Sequence, residues 1–192
     1  MDDDPATEIL EATYRALCRH GYADLTIKDI AAEADRSTAS VHYYFDDKQT
    51  LFVEFLEYLY DRYTAQLAAI DGDTARDRLA ALLETVLADD ETGTGLEFRT
   101  AMLEVTAQAP YDDAIRARLA AFDDVLFDRI RAIIEDGIDR GEFDATVDPT
   151  VATEFLVTAV SGAYTRQVAM DRSPEQLRAT MTRYVETRLL AE

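Results

Sequence analysis

Apolar side chains at Ile115, Leu119, Phe122, Leu126, Ile130, Ile133 or Ile134, and Ile138 recur in steps of three and four. That spacing lines them up on one stripe of a helix; a strand would need alternation with period two. A long helix with a single apolar stripe must bury that stripe against neighbouring elements. No segment of useful length shows β alternation, so the neighbours are expected to be helices as well. The 7 Gly and 4 Pro of the 192 residues sit in gaps between periodic runs. The chain is therefore predicted to be all-α, with about nine helices.

The helices are expected over Pro5–His20, Ile27–Ala34, Thr38–Tyr44, Lys48–Ile70, Thr74–Ala88, Leu96–Gln108, Asp112–Arg140, Pro149–Met170 and Pro174–Leu190. Pro5 suits a first-turn position, and Gly21 follows the first helix as a stop. Thr26, Ser37 and Asp47 stand where N-caps belong. The later breaks fall at Asp71-Gly72, Gly93-Thr94-Gly95, Pro110, the Gly141–Pro149 loop and Ser173-Pro174. Leu10, Tyr14, Leu17 and Cys18 mark the inner face of the first helix. The lone Cys18 rules out an intrachain disulfide and reads as a small buried hydrophobe.

Apolar residues make up 48% of the chain, enough for a packed core. No run approaches the roughly 18 apolar residues of a membrane span. The start, MDDDPATEIL, lacks a basic n-region, so no signal peptide is expected and the cytoplasm is the default compartment.

Residues Thr26 to Leu51 carry the functional signal. Ile27, Ile30, Ala31 and Ala34 give a short helix one apolar face, and Val41 and Phe45 continue that core beyond a reversal at Asp35. Aspartate tolerates the left-handed conformation such a turn requires. The outer face of the next helix is then Thr38, Ala39, Ser40, His42 and Tyr43, short or aromatic side chains with donors and acceptors. This is what a groove-reading helix-turn-helix needs. A DNA-binding unit over residues 1–47 and a larger helical domain over 48–192 follow from this division. So small a first unit buries little surface and should lean on the fourth helix.

The pattern G-x4-T-x3-I-A-x2-A-x2-S-x6-Y-F-x2-K-x2-L runs through Gly21, Thr26, Ile30, Ala31, Ala34, Ser37, Tyr44, Phe45, Lys48 and Leu51. In this it resembles the TetR family of transcriptional regulators over about residues 6–56. Beyond that the likeness lies in length, helix count and the loop Gly141, Glu142, Phe143, Asp148, Pro149, similar to the choline-responsive repressors. The resemblance implies that Thr26, Ser37, Tyr44 and Lys48 contact phosphates. Thr38, Ala39, Ser40 and Tyr43 would face base edges, with His42 near the backbone. Two roles stay open for Tyr44, core aromatic or phosphate contact, and for Ser37, plain cap or phosphate contact.

Several positions depart from the family pattern. Arg36 replaces a usual apolar residue, so either packing is looser there or Arg36 reaches a phosphate. Asp46 and Asp47 flank the phosphate-binding lysine, where Pro and Ser are common. The whole chain carries 39 acidic against 19 basic residues, a net charge of -20. Its only lysines are Lys28 and Lys48. Residues 1–51 alone hold 11 acidic and 5 basic residues. Excess aspartate with scarce lysine resembles cytoplasmic proteins of salt-in halophiles, in which concentrated salt screens self-repulsion. A flattened or inverted salt dependence of DNA binding is expected, since ordinary binders weaken as salt rises.

A single helix-turn-helix usually works in pairs. The resemblance implies a homodimer formed by the last two helices. Phe155, Ala159, Gly162, Ala163, Met181, Tyr184 and Val185 are the candidate interface, unless these helices merely cover their own core. The resemblance also places a small-molecule effector among the middle helices. Tyr60, Tyr63, Phe98, Met102, Glu104, Val105, Phe122 and Tyr164 are candidate contacts, and their apolar bias favours a hydrophobic effector. No cofactor or metal is expected: His20 and His42 lack Cys partners at metal spacing, and enzyme signatures are missing. The expected function is a ligand-responsive repressor released from a palindromic operator when an effector turns the fourth helix as a lever. The alternative is an acidic helical dimer that binds proteins and has lost its DNA affinity.

Overall fold

The computed structural model describes residues 4–87 and 95–190. Among them are nine helices: α1 Pro5–Asp24, α2 Ile27–Glu33, α3 Thr38–Tyr44, α4 Lys48–Ala68, α5 Ala75–Leu87, α6 Gly95–Gln108, α7 Asp113–Asp139, α8 Pro149–Met170 and α9 Pro174–Arg188. The expected all-α class holds. The anticipated end of the fifth helix at Ala88, the Asp89–Glu91 acid run and the Gly93-Thr94 break lie outside the described residues.

Helix starts follow local chemistry. The Asp148 carboxylate accepts the N–H of Thr150 at 2.9 Å and of Val151 at 3.1 Å, and Pro149 opens α8 without needing a donor. Asp47 accepts from Thr50 N–H at 2.7 Å at the head of α4. Asp112, expected inside the seventh helix, is instead its cap, accepting from Ala114 and Ile115. Gly21 has φ +71 and kinks α1, so the expected stop appears as a break before one more turn. The inner face of α1 is Ile9, Ala12, Thr13, Ala16 and Leu17; Leu10, Tyr14 and Cys18 are only half-buried. The Thr13 hydroxyl escapes a burial penalty by donating to the Ile9 carbonyl at 2.8 Å.

The residues group into two compact units. The first takes in residues up to Arg62 together with 90–121, so the unit with the helix-turn-helix reaches well beyond 1–47. Here α6 lies along α1, α1 packs on α2, and α2 on α3. Leu51, Phe52, Phe55 and Leu56 from α4 fill the core between them with Leu17, Ile30 and Val41. Helices α1–α3 bury too little alone, and α4 and α6 supply the missing apolar surface.

The second unit holds Tyr63–Asp89 and residues from Phe122 onward. Its core joins Leu79, Leu82 and Leu83 of α5 to Ile130, Ile133 and Ile134 of α7 and Leu156 and Val160 of α8. The α7 ladder is real but serves two cores, since Ile115 belongs to the first unit and Leu126 onward to the second. The loop after α7 fastens this unit. Phe143 is buried with its ring against Gly137, where any Cβ would come within 2.4 Å of it. The Glu142 carboxylate accepts the Ala75 N–H at 2.6 Å, and Asp144 N–H donates to the Leu189 carbonyl at 2.8 Å. Phe143 and Leu190 form an isolated antiparallel bridge that no alternation in the sequence foretold.

Candidate nucleic-acid interface

The α2–turn–α3 geometry is built by its own side chains. Thr26 and Asp29 cap each other: Asp29 N–H donates to Thr26 Oγ1 at 3.3 Å, and Thr26 N–H to Asp29 Oδ2 at 3.0 Å. The Thr26 hydroxyl also donates to Asp29, which holds that carboxyl below its usual range. Asp35 turns the chain at φ +51, the left-handed conformation anticipated for it. Ser37 Oγ accepts the Ser40 N–H at 3.1 Å and so caps α3. Val41 and Phe45 face inward, which turns Thr38, Ala39, His42 and Tyr43 to solvent, with Ser40 half-buried.

Tyr43 is 82% exposed, and its ring meets Tyr44 edge-on at 5.0 Å. Tyr44 is 40% exposed, so it is no core aromatic. His42 Nδ1 lies 3.2 Å from the Asp46 carbonyl. A carbonyl only accepts, so Nδ1 is the donor in this contact.

The long cationic side chains are placed differently. Lys28 is exposed. Arg36 pairs with Glu8 of α1, and that bond holds its guanidinium pKa up. Lys48 donates to the Tyr22 carbonyl at 3.1 Å and sits 4.8 Å above the Tyr22 ring. Burial draws its pKa down, against the pull of Asp24 and Asp29. Glu8 and Tyr22 escaped sequence reasoning. A carboxylate opposite an unusual arginine was a usable signal; nothing marked Tyr22.

The candidate effector contacts fall into two groups. In the first unit, Val105 is buried and Phe98 stacks against Tyr14 at 4.8 Å, with Met102 and Tyr60 half-buried. Glu104 accepts backbone N–H groups from Tyr22 and Ala23. In the second unit, Tyr63 meets Phe122 at 5.6 Å, and the Tyr164 hydroxyl donates to the Val86 carbonyl. Burial, then Tyr164 and Asp123, push the Tyr63 pKa up.

Of the candidate interface, Ala163, Met181 and Val185 are buried in the second unit's own core. The α8 pattern is apolar nearly all round, which left its inner side ambiguous in the sequence. Phe155 remains 48% exposed, stacked on Tyr184 at 4.2 Å, with Gly162 exposed and Ala159 half-buried beside it. Val151 extends this face, 65% exposed.

A capped helix, a left-handed turn and a second helix presenting small polar and aromatic side chains define a helix-turn-helix transcriptional regulator. Residues 9–55 match the bacterial regulatory proteins of the tetR family, and residues 75–190 match the C-terminal part of BetI-type transcriptional repressors. The chain belongs to the tetR family. Regulators of this family bind operator DNA, dimerise and respond to small effectors. A TetR transcription regulator from Haloarcula marismortui is 39% identical, with a TM-score of 0.89 over 97% of this chain and 98% of that one. A transcriptional regulator from Saccharomonospora viridis, solved in complex with choline, is 25% identical with a TM-score of 0.82 over 97% and 98%. The transcriptional repressor AcnR of Corynebacterium glutamicum is 25% identical over 83% of this chain and 79% of its own. These relatives are DNA-binding repressors and regulators, not enzymes, and none supports the adaptor alternative. Among the described residues no helix is long and apolar enough to cross a membrane.

Proposed function

We propose that this chain is a homodimeric cytoplasmic repressor that grips a palindromic operator through two copies of α3. The observation that carries this reading is the solvent-facing set Thr38, Ala39, His42 and Tyr43 on a helix held by a cap at Ser37 and a turn at Asp35. Tyr44 and Ser40 share α3 with that face, exposed Lys28 and half-buried Lys48 are the candidate phosphate contacts on the neighbouring helices, and Arg36 is held by Glu8. Residues 1–48 carry the DNA contacts, and the remainder carries effector and partner. Thr26 and Ser37 position α2 and α3 as caps, and their phosphate contacts are secondary to that job.

The partner face is the strip Val151, Phe155 and Gly162 with Tyr184. The effector is a small organic molecule with an apolar or N-methylated face, taken by the rings of Tyr63, Phe122 and Tyr164. Aromatic rings bind both kinds of surface. The helix α4 is continuous from Lys48 to Tyr63 and transmits displacement of that ring toward the DNA-binding end. The acidic charge, the two lysines and the relative from a halophile support operation in concentrated salt.

The test is a footprint of the full chain on genomic fragments across a KCl series. Two protected half-sites about one helical turn apart, retained in high KCl, are expected. Absence of any specific complex at every salt concentration would overturn the reading.

A further inference from the structure

We infer that α3 reads thymine methyl groups, so that the operator bases under Ala39 and Tyr43 are A·T pairs and not guanine. This deepens the proposed operator binding and rests on it.

Each base pair offers a distinct pattern in the major groove. Guanine is read bidentately by Arg or Lys and adenine by Asn or Gln, while the thymine methyl takes an apolar contact. Between Thr26 and Leu51 the side chains able to do the first two jobs are Lys28, Arg36, Lys48 and Gln49. Three of them are occupied within the protein. Arg36 is paired with Glu8, Lys48 is bonded to the Tyr22 carbonyl, and Gln49 donates to Asp112 at 2.9 Å. Lys28 lies at the start of α2, off the outward face of α3. What α3 itself turns outward is the Ala39 methyl, the Tyr43 ring one turn on, and the Thr38–His42 pair beside them. The exposed stripe is therefore apolar where it is longest, and the 82% exposed Tyr43 ring is its largest element.

Charge points the same way. With 11 acidic against 5 basic residues before Phe52, this unit gains little from phosphates. Burying a methyl group is not a Coulombic interaction and is not screened by salt.

The experiment is selection of duplexes by the full chain from a randomised pool, in high and in low KCl, followed by thymine-to-uracil replacement at each enriched position. Uracil lacks only the 5-methyl group. The expected motif has A·T pairs at the positions α3 covers, and each critical uracil weakens binding by roughly fourfold, the worth of one buried methyl. Tyr43→Ala should weaken the thymine duplex by at least as much and then be insensitive to uracil at the base it covers, while Tyr43→Phe keeps the preference. A guanine fixed under α3, or an A·T motif indifferent to uracil, overturns this inference and leaves operator binding standing. A pool that enriches no sequence at any salt overturns operator binding and this inference together.

Discussion

The Glu104 carboxylate accepts the Tyr22 backbone N–H at 2.7 Å and that of Ala23 at 3.2 Å, clasping α6 to the turn that follows Gly21. A Cβ on Gly21 would lie 2.9 Å from that carboxylate, on a backbone already at φ +71. The bare glycine and the acid therefore form one device. Glu104→Ala leaves the half-buried Tyr22 N–H unmatched, while the exposed Ala23 N–H can turn to water, and should cost about 1 kcal/mol of unfolding free energy. Gly21→Ala should cost at least about 1 kcal/mol through its backbone alone. Urea denaturation in constant high KCl measures both. If Glu104→Ala leaves the midpoint unchanged, water satisfies the two amides and the clasp is idle.

Asp35 holds a left-handed conformation at φ +51 between α2 and α3. Asp35→Gly should be neutral or slightly stabilising, because glycine pays no steric cost there. Asp35→Val should destabilise by about 1–2 kcal/mol, since a β-branched side chain clashes in that region. Paired thermal melts of the two variants check the sign of each change.

Stability should fall as pH is lowered. Arg78 donates to Asp136 and holds its carboxyl below the usual range, with Arg140 adding to the effect. Asp29, Asp47 and Asp144 are lowered in the same way, chiefly by hydrogen bonds to Thr26, Thr50 and Thr146. A carboxyl whose pKa is lower in the folded state contributes stability that is full above its unfolded value, about pH 4. That contribution is lost as pH drops through the folded value. Asp123 runs the other way, raised by burial and then by Asp124 and Glu154, so its part favours folding as pH falls. The four lowered groups outnumber it. The urea midpoint should decline from pH 5 toward pH 3, and Asp136→Asn should make the decline shallower.

Arg36 is paired with Glu8. Glu8→Gln removes the paired charge, so binding to all sequences should tighten. The slope of log K against log salt should steepen by about 0.9 for each phosphate newly contacted. Fluorescence anisotropy on specific and random duplexes over a KCl series reads this directly. An unchanged slope would place Arg36 permanently outside the interface.

Phe155 and Tyr184 stack at 4.2 Å on a face that keeps Phe155 48% exposed. Phe155→Glu should shift the chain toward monomer in sedimentation equilibrium while leaving its helical signal unchanged. A dimer that survives this charge uses another face.

Helix positions were readable from sequence because caps and breakers act locally. Asp148 with Pro149, Asp47 and Gly21 each announced an end that side-chain chemistry alone explains. The partition of the core was not readable. Ile115 and Ile130 have the same register on the α7 stripe, yet they serve different cores, because a period says which side is buried and not what lies against it. The same limit applies to α8, where Ala163 is buried and Phe155 exposed. At the DNA face, exposure of Tyr43 followed from periodicity with Val41 and Phe45. The capture of Arg36 by Glu8 and of Lys48 by Tyr22 depended on residues distant in the chain, which no local pattern encodes.

The division of the chain also sets an order of manufacture. Every residue of the first unit precedes Phe122, whereas the second draws Met181, Val185 and Leu189 from α9, the last helix described. On a translating ribosome, units fold as their residues emerge. The helix-turn-helix unit has all its parts while α8 and α9 are still unmade, and the second unit closes last. A nascent chain thus holds a complete helix-turn-helix before the core of its second unit can close.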